Sequence, residues 1–211
     1  ALGLNKCGKV IVATSIEKVP SLHKLQERAV KNGVRSRFIT KKELREIEPY
    51  AYTFDEAIFS PDTAVFNPKE IVNSIIDELT ESGSVKILYD TAFVEALSDN
   101  SILTTAGKFR FEMFVNAAGA FSDRIAQSFD IAKNFRILPF LGTYAKLVPG
   151  KSSLVNGNVY PVPDERTPFL GVHFTKAHDG TVYIGPTAIP ALGRESYRLF
   201  ADYSAETLSI L

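Results

Sequence analysis

The spacing of apolar residues predicts helices and short strands that succeed one another along the chain. Residues 9–14 read as a buried strand, and residues 21–32 as a helix capped by Ser21, with Leu22, Leu25 and Ala29 on its apolar face. Thr40 and Glu43 form a capping-box pattern that opens a second short helix. Residues 57–59 read as a brief strand, and residues 67–82 as a long helix capped by Asn67.

The middle of the chain predicts an antiparallel meander followed by a tight turn and another helix. Three strands are expected at residues 91–97, 101–105 and 108–114, separated by turns at Asp99-Asn100 and Ala106-Gly107. The last strand leads into Ala117-Ala118-Gly119, and Ser122 then caps a helix. Small side chains at such a turn let a ligand approach the backbone, and the N-terminus of the following helix favours phosphate. A plain strand-to-helix turn explains the same residues equally well.

The last third of the chain returns to β character, in strands at residues 135–148, 159–162, 169–176 and 181–185. His178-Asp179-Gly180 separates the last two strands, and Asp-Gly between β-favouring runs predicts a hairpin. Alternation places His173 and Thr175 on one face of the first arm, and Val172 and Phe174 on the other. The chain then continues to Arg194 and a helix that begins near residue 201.

Composition narrows the class of protein. The chain has 211 residues, with 24 basic and 24 acidic side chains, so no overall charge draws it to nucleic acid or anionic lipid. No apolar run is long enough to span a bilayer, and the start resembles no signal peptide. Cys7 is the single cysteine, which excludes an intrachain disulfide and a cysteine-based metal site. We therefore expect a cytoplasmic protein without a metal, and leave peripheral membrane attachment open.

Polar side chains around the predicted hairpin could form a site for a small acid. His173 could act as a base, since histidine changes charge near neutral pH, and Arg194 could grip a carboxylate in a two-pronged contact. The simpler interpretation makes His173 an ordinary sheet histidine and Arg194 a surface charge. Weaker candidates for hydrogen bonds to substrate are Tyr144, Tyr160, Thr175 and Tyr197.

A resemblance to a known family favours the interpretation that these polar residues form a substrate site. Residues 168–175 read PFLGVHFT, and Asp179-Gly180, Gly185-Pro186, Arg194-Glu195 and Tyr197 follow. This order resembles flavin-dependent 2-hydroxy-acid oxidoreductases of the D-amino-acid-oxidase-like superfamily, closest to the L-2-hydroxyglutarate oxidase/dehydrogenase branch. The resemblance extends from Cys7 to about Tyr197. It departs at Leu141 and Thr143, where relatives carry arginine and glutamate, and at Thr187, where they carry asparagine.

The resemblance implies an α/β (α+β) fold in which a mixed-sheet substrate domain is joined to the C-terminal half of an FAD-binding Rossmann-like domain. The expected order is substrate domain over residues 1–60, FAD-domain remnant over 61–134, and substrate domain again over 135–211. Residues before about 60 and after about 134 should then share one sheet. Val94, Ala117, Ala118 and Gly119 would approach the FAD.

No G-x-G-x-x-G motif is present, although dinucleotide-binding domains carry it in their first βαβ unit. We therefore expect an internal fragment that is inactive alone, holds no FAD tightly, and is prone to self-association through an uncovered face. The resemblance implies that the longer protein oxidises an L-2-hydroxy acid similar to 2-hydroxyglutarate to the 2-oxo acid. Two alternatives stay open: a flavin-dependent amino-acid or amine oxidase, and a cofactor-free binding or assembly module.

Overall fold

The computed structural model describes residues 3–164, 166 and 169–197, and within it the chain forms two compact units. Unit 1 comprises Ala1–Asp77 and Gly142–Ala188, and unit 2 comprises Glu78–Leu141 and Ile189–Leu211. Each unit is therefore built from two separate stretches of chain. The helix expected from residue 201 lies outside the described residues.

Unit 1 is built on a mixed sheet of seven strands, which confirms the predicted fold class. The strands are β1 (Lys9–Val12), β2 (Arg37–Ile39), β3 (Ala57–Ser60), β7 (Phe140–Lys146), β8 (Asn158–Pro161), β9 (His173–Lys176) and β10 (Val182–Pro190). Their order in the sheet is β2-β3-β1-β8-β9-β10-β7. Strand β1 runs antiparallel to β3 and parallel to β8. The expectation that early and late segments share one sheet is therefore confirmed.

Alternation along the strands buries a different apolar cluster on each face of this sheet. One cluster joins Val10, Val12, Ile39 and Ala57 to Leu44 of α2 (Lys41–Ile47). The other joins Ala13, Ile58 and Val162 to Leu22 of α1 (Val19–Lys31). Each face of the sheet is thus covered by one helix near β1 and β3.

The two helices of unit 1 begin in different ways. Helix α2 has the predicted capping box, in which Thr40 Oγ1 accepts from the Glu43 backbone N–H and the Glu43 carboxylate accepts from the Thr40 N–H. The prediction that Ser21 caps α1 is wrong. Helix α1 begins at Val19 after Lys18, which makes no side-chain cap, and Pro20 takes a first-turn position that needs no N–H donor.

Helix α3 (Pro68–Glu81) begins as its sequence predicts. The Asn67 side chain accepts a hydrogen bond from the Lys69 N–H at 3.1 Å, which satisfies a donor of the first turn. Its apolar stripe is largely open within the described residues, since Val72 is 53% exposed and Ile75 50%.

Unit 2 contains the predicted meander as a three-stranded antiparallel sheet, β4 (Phe93–Leu97), β5 (Ser101–Thr104) and β6 (Gly107–Arg110). Strand β6 ends four residues before the predicted limit. Phe114, which follows β6 in the chain, packs against Phe129 with ring centroids 4.8 Å apart. A 3₁₀ turn at Gly119–Phe121 precedes α4 (Ser122–Ser128), so the prediction that Ser122 caps this helix is wrong.

Candidate functional site

The hairpin of β9 and β10 sets the register of the candidate site. Asp179-Gly180 forms its turn, where the Asp179 carboxylate accepts from the Thr181 N–H at 2.9 Å and Gly180 has φ of 83°. Only glycine adopts such a backbone conformation without strain. The register then pairs Thr175 with Tyr183 and His173 with Gly185.

Four of the predicted residues lie together in one pocket of unit 1. An open cavity of about 430 Å³ is lined by Tyr144, Tyr160, His173, Thr175 and Tyr183. These residues come from β7, β8, β9 and β10, and alternation brings their side chains to the same face of the sheet. We call this cavity the histidine pocket. The predicted shared face of His173 and Thr175 is confirmed, because Phe174 lines a separate cavity with Val159 and Leu147.

His173 is held with one ring nitrogen available for chemistry. The residue is only 6% exposed, and its Nδ1 lies 2.9 Å from the Gly171 carbonyl oxygen. A carbonyl oxygen can only accept, so Nδ1 carries the hydrogen, and the neutral ring keeps its lone pair on Nε2. Within the part of the chain that the structure describes, Nε2 has no protein hydrogen-bond partner. This tautomer is the one that a general base requires.

Aromatic rings and hydroxyl groups surround this imidazole. The Tyr160 ring stacks on His173 with 4.0 Å between centroids, and its hydroxyl lies 3.4 Å from Thr175 Oγ1. Across the pocket, Tyr144 and Tyr183 meet edge to face at 6.4 Å. Tyr183 was not among the predicted site residues, although the Asp-Gly turn fixes the register that places it opposite Thr175.

Gly185 is the hairpin partner of His173 and packs closely against β7. A Cβ atom built at Gly185 would lie 2.6 Å from the Thr143 carbonyl oxygen, closer than real Cβ contacts allow. Its φ of 149° also lies in a region that residues with side chains rarely adopt. The position therefore requires glycine, because the Thr143 backbone and the Tyr144 side chain already fill the space that a Cβ atom would need.

A second cavity lies in unit 2, where cofactor contacts were predicted. It has a volume of about 470 Å³ and brings Val94 and Ala118 together with Phe121 and Arg124. The rest of its lining is Ala92, Phe93, Ile125 and Ser128. Ala117 and Gly119 flank Ala118 in the chain but are not among these lining residues. Apolar walls with one guanidinium suit a planar heterocycle next to an anionic group.

Arg194 also lies in unit 2, in an ion pair with Asp123. Its Nη1 and Nη2 donate to the two Asp123 carboxylate oxygens at 2.5 and 2.8 Å. The two side chains are 3% and 4% exposed, and Arg194 also donates to the Ala120 carbonyl oxygen. The hydrogen bond from Arg194, assisted by N–H donors of Ile137 and Arg124, holds the pKa of Asp123 well below its usual range. The carboxylate gripped by this guanidinium is therefore one of the protein's own.

The remaining predicted residue, Tyr197, is 89% exposed in unit 2. No helix among the described residues is long and apolar enough to cross a membrane. The same residues contain no group of three or more His, Cys, Asp or Glu side chains that could hold a metal ion.

Comparisons with known proteins agree on one class. The family model described as "FAD dependent oxidoreductase" matches residues 1–210. The chain is 38% identical to "L-2-hydroxyglutarate dehydrogenase, mitochondrial" of Bos taurus, over 98% of this chain and 48% of the relative. It is likewise 38% identical to the protein of that name from Mus musculus, over 95% of this chain and 46% of the relative. The chain thus spans about half the length of these relatives.

A solved structure has the same fold. The crystal structure of L-proline dehydrogenase from P. horikoshii superposes with a TM-score of 0.75 at 19% identity. The match covers 98% of this chain and 54% of that protein. At this level of identity, the likeness concerns the fold alone.

Proposed function

Since the chain belongs to the family of FAD-dependent oxidoreductases, we propose that it forms part of an enzyme that oxidises an L-2-hydroxy acid to the 2-oxo acid. The relatives named L-2-hydroxyglutarate dehydrogenase support a substrate of the 2-hydroxyglutarate class. Because the chain spans about half of those relatives, the activity belongs to a longer protein. From the lone cysteine we propose a cytoplasmic location, whereas the two relatives from Bos taurus and Mus musculus are named mitochondrial. Self-association stays a prediction.

The observation that carries this proposal is the orientation of His173 in the histidine pocket. Oxidation of a secondary alcohol removes a hydride from C2 and a proton from the hydroxyl group. With Nδ1 donating to Gly171, Nε2 of His173 can accept that proton. The hydroxyl groups of Tyr160 and Thr175 line the same pocket and can bind the substrate's polar groups, as can that of Tyr144.

The cavity of unit 2 fits part of the cofactor. We assign Val94 and Ala118 to its walls and the backbone of Ala117 and Gly119 to its edge, since small side chains leave room for a flat ring. When bound, FAD accepts the hydride that leaves the substrate carbon. Unit 1 then serves as the substrate part of the protein and unit 2 as the cofactor part. We take the boundaries of the two units, which fall after Asp77, Leu141 and Ala188, in place of the boundaries expected from the sequence at residues 60/61 and 134/135.

We assign Arg194 a structural part instead of contact with substrate. Its guanidinium is buried against Asp123 and donates to the Ala120 carbonyl next to Phe121, a wall residue of the unit 2 cavity. Removing either partner would leave an unpaired charge in a buried place. The pair therefore holds this wall in position.

Purification of the full-length protein and assay with an artificial electron acceptor tests the proposed function. We expect about one FAD per chain and turnover of L-2-hydroxyglutarate, with far less for its D enantiomer. Turnover of L-glutamate in place of the hydroxy acid would identify an amino-acid oxidase. A purified protein without flavin and without turnover would favour a binding or assembly module.

A further inference from the structure

The proposed base and the ring that stacks on it lie on two different strands, and these strands meet at a sparsely paired contact. Strand β8 pairs with β1 at four positions, and β9 pairs with β10 at four positions. Between β8 and β9, the described residues give one register pair, Val159 with Phe174. We call this contact the β8–β9 seam. It joins the β2-β3-β1-β8 part of the sheet to the β9-β10-β7 part.

The seam determines whether the ring of Tyr160 reaches His173. In an antiparallel pair, the next residue on one strand lies opposite the preceding residue on the other. The pair of Val159 and Phe174 therefore places Tyr160 opposite His173, and the two rings stack with 4.0 Å between centroids. Strand β8 is otherwise held by β1 and strand β9 by β10, so bonds across the seam decide how closely the two rings approach.

A buried side-chain amide supplies one bond across the seam. Asn158 is 4% exposed, and its Oδ1 accepts a hydrogen bond from the Lys176 backbone N–H at 3.0 Å. The bond lies at the end of β9, beyond the pair of Val159 and Phe174, and continues the pairing of the two strands through a side chain. An apolar residue in place of Asn158 would leave the Lys176 N–H without this acceptor, which costs free energy where water is excluded.

The side chain of Lys176 adds a second bond across the seam. Its ammonium group donates to the Val155 carbonyl oxygen at 3.1 Å, in the segment that leads into β8. Hydrogen bonds from charged donors are roughly twice as strong as those from neutral donors. Lys176 is thus bonded to the start of β8 through both its backbone and its side chain.

We propose that Asn158 is a positioning residue for the reaction in the histidine pocket, an assignment that rests on the proposed function. Its amide, assisted by the Lys176 ammonium group, holds β9 against β8 and thereby keeps the Tyr160 ring on His173. Asn158 is not among the residues that line the pocket, so it acts through Tyr160. Without the stacked ring, the imidazole keeps only its bond to the Gly171 carbonyl and turns more freely, which slows proton transfer.

NMR on the full-length, FAD-loaded protein labelled with ¹³C-histidine measures the position of the Tyr160 ring. Protons over the face of an aromatic ring are shielded, so the carbon-bound ring protons of His173 should resonate upfield of their usual positions. The signal is identified by its loss in His173→Ala. We expect Asn158→Leu to move it toward the usual position, as Tyr160→Ala does. This measurement needs no turnover, so it decides the assignment even if the wild type oxidises no hydroxy acid and the proposed function fails.

Kinetics of the active enzyme separate positioning from a general loss of stability. We expect Asn158→Leu to lower kcat roughly 3- to 10-fold, the rate equivalent of one net hydrogen bond, and to have no further effect in a Tyr160→Ala background. A residue that acts through Tyr160 loses its effect once that ring is gone. Lys176→Met should change the His173 signal and kcat in the same direction, and it provides the test if Asn158→Leu does not fold.

Asn156→Leu is the matched control. Asn156 lies in the same segment, but its amide donates to the Ile47 carbonyl oxygen at 2.7 Å and not to β9. This variant should keep the wild-type His173 signal and kcat, even where its melting temperature falls. The assignment is overturned by a wild type without the upfield shift, by a folded seam variant with an unchanged His173 signal, by equal losses of kcat with and without the Tyr160 ring, or by an equal loss in Asn156→Leu.

Discussion

The imidazole of His173 lies against the ring of Tyr160, with centroids 4.0 Å apart and the two planes at 25°. The Gly171 carbonyl fixes the same imidazole through Nδ1. Two independent contacts therefore hold the ring in one orientation, with Nε2 as its remaining acceptor. A base held in this way needs little reorganisation when the substrate binds.

Replacement of His173 should remove proton transfer while leaving the cofactor in place. We expect His173→Ala to lower kcat roughly 100- to 10,000-fold, the usual range for a general base, and to remove the acid limb of the pH–rate profile. His178→Ala is the control, because His178 is an exposed histidine at the turn of the same hairpin. A His173→Ala protein that is folded, flavin-loaded and nearly fully active would show that another group takes the proton.

The stacked ring of Tyr160 should matter more than its hydroxyl group. The hydroxyl contact with Thr175, at 3.4 Å, is long for a hydrogen bond, whereas the ring covers the imidazole. We expect Tyr160→Phe to keep kcat within a few-fold of the wild type and Tyr160→Ala to reduce it much further. Steady-state kinetics on both variants measures this. An equal loss of kcat in both variants would instead show that the hydroxyl group, and not the ring, is what catalysis requires.

The pair of Arg194 and Asp123 should act on stability and not on substrate affinity. Breaking a buried ion pair leaves an uncompensated charge, so Asp123→Asn should lower the free energy of unfolding by about 3–5 kcal/mol. Arg194→Lys should also destabilise the protein, since an ammonium group cannot make the two-pronged contact. Denaturant titration checks both variants. A loss of about 2–4 kcal/mol in kcat/KM for folded Arg194→Lys, with Asp123→Asn unaffected, would instead favour a substrate clamp.

Acid should weaken the capping box of α2. Hydrogen bonds from the Thr40 N–H and from Arg37 lower the pKa of Glu43 to about 2. A lowered pKa in the folded state stabilises the protein above the unfolded value, near 4.3, and this contribution disappears as the pH falls toward 2. We therefore expect wild type and Glu43→Gln to differ in unfolding free energy at pH 6 and to converge near pH 2. A difference independent of pH would contradict this origin.

A larger side chain at Ala118 should block the unit 2 cavity. Ala118 lines this cavity, and its φ of −81° is ordinary for a residue with a side chain, so leucine fits the backbone there without strain. We expect Ala118→Leu to reduce the FAD content of the full-length protein, measured from flavin absorbance against protein concentration. Val115→Leu is the control, since Val115 is 77% exposed and does not line the cavity. Equal flavin content in both variants would place the cofactor elsewhere.

Local patterns in the chain were sufficient for the hairpin turn and for two of the four predicted helix caps. The Asp179-Gly180 turn, the Thr40–Glu43 box and the Asn67 cap each depend on atoms within a few residues, so their residue types predict them directly. The start of α1 differed because Pro20 fits the first turn, whereas Ser21 makes no capping bond there. The resemblance and its ordered motifs indicated the family, which the comparisons then confirmed.

Tertiary packing decided what the polar side chains do. The residue types of Arg194 and His173 suited a site for a small acid equally well, yet Arg194 pairs with Asp123, which lies 71 residues away in the chain. Strand order and register bring together residues that are far apart in sequence, and no local pattern encodes that proximity.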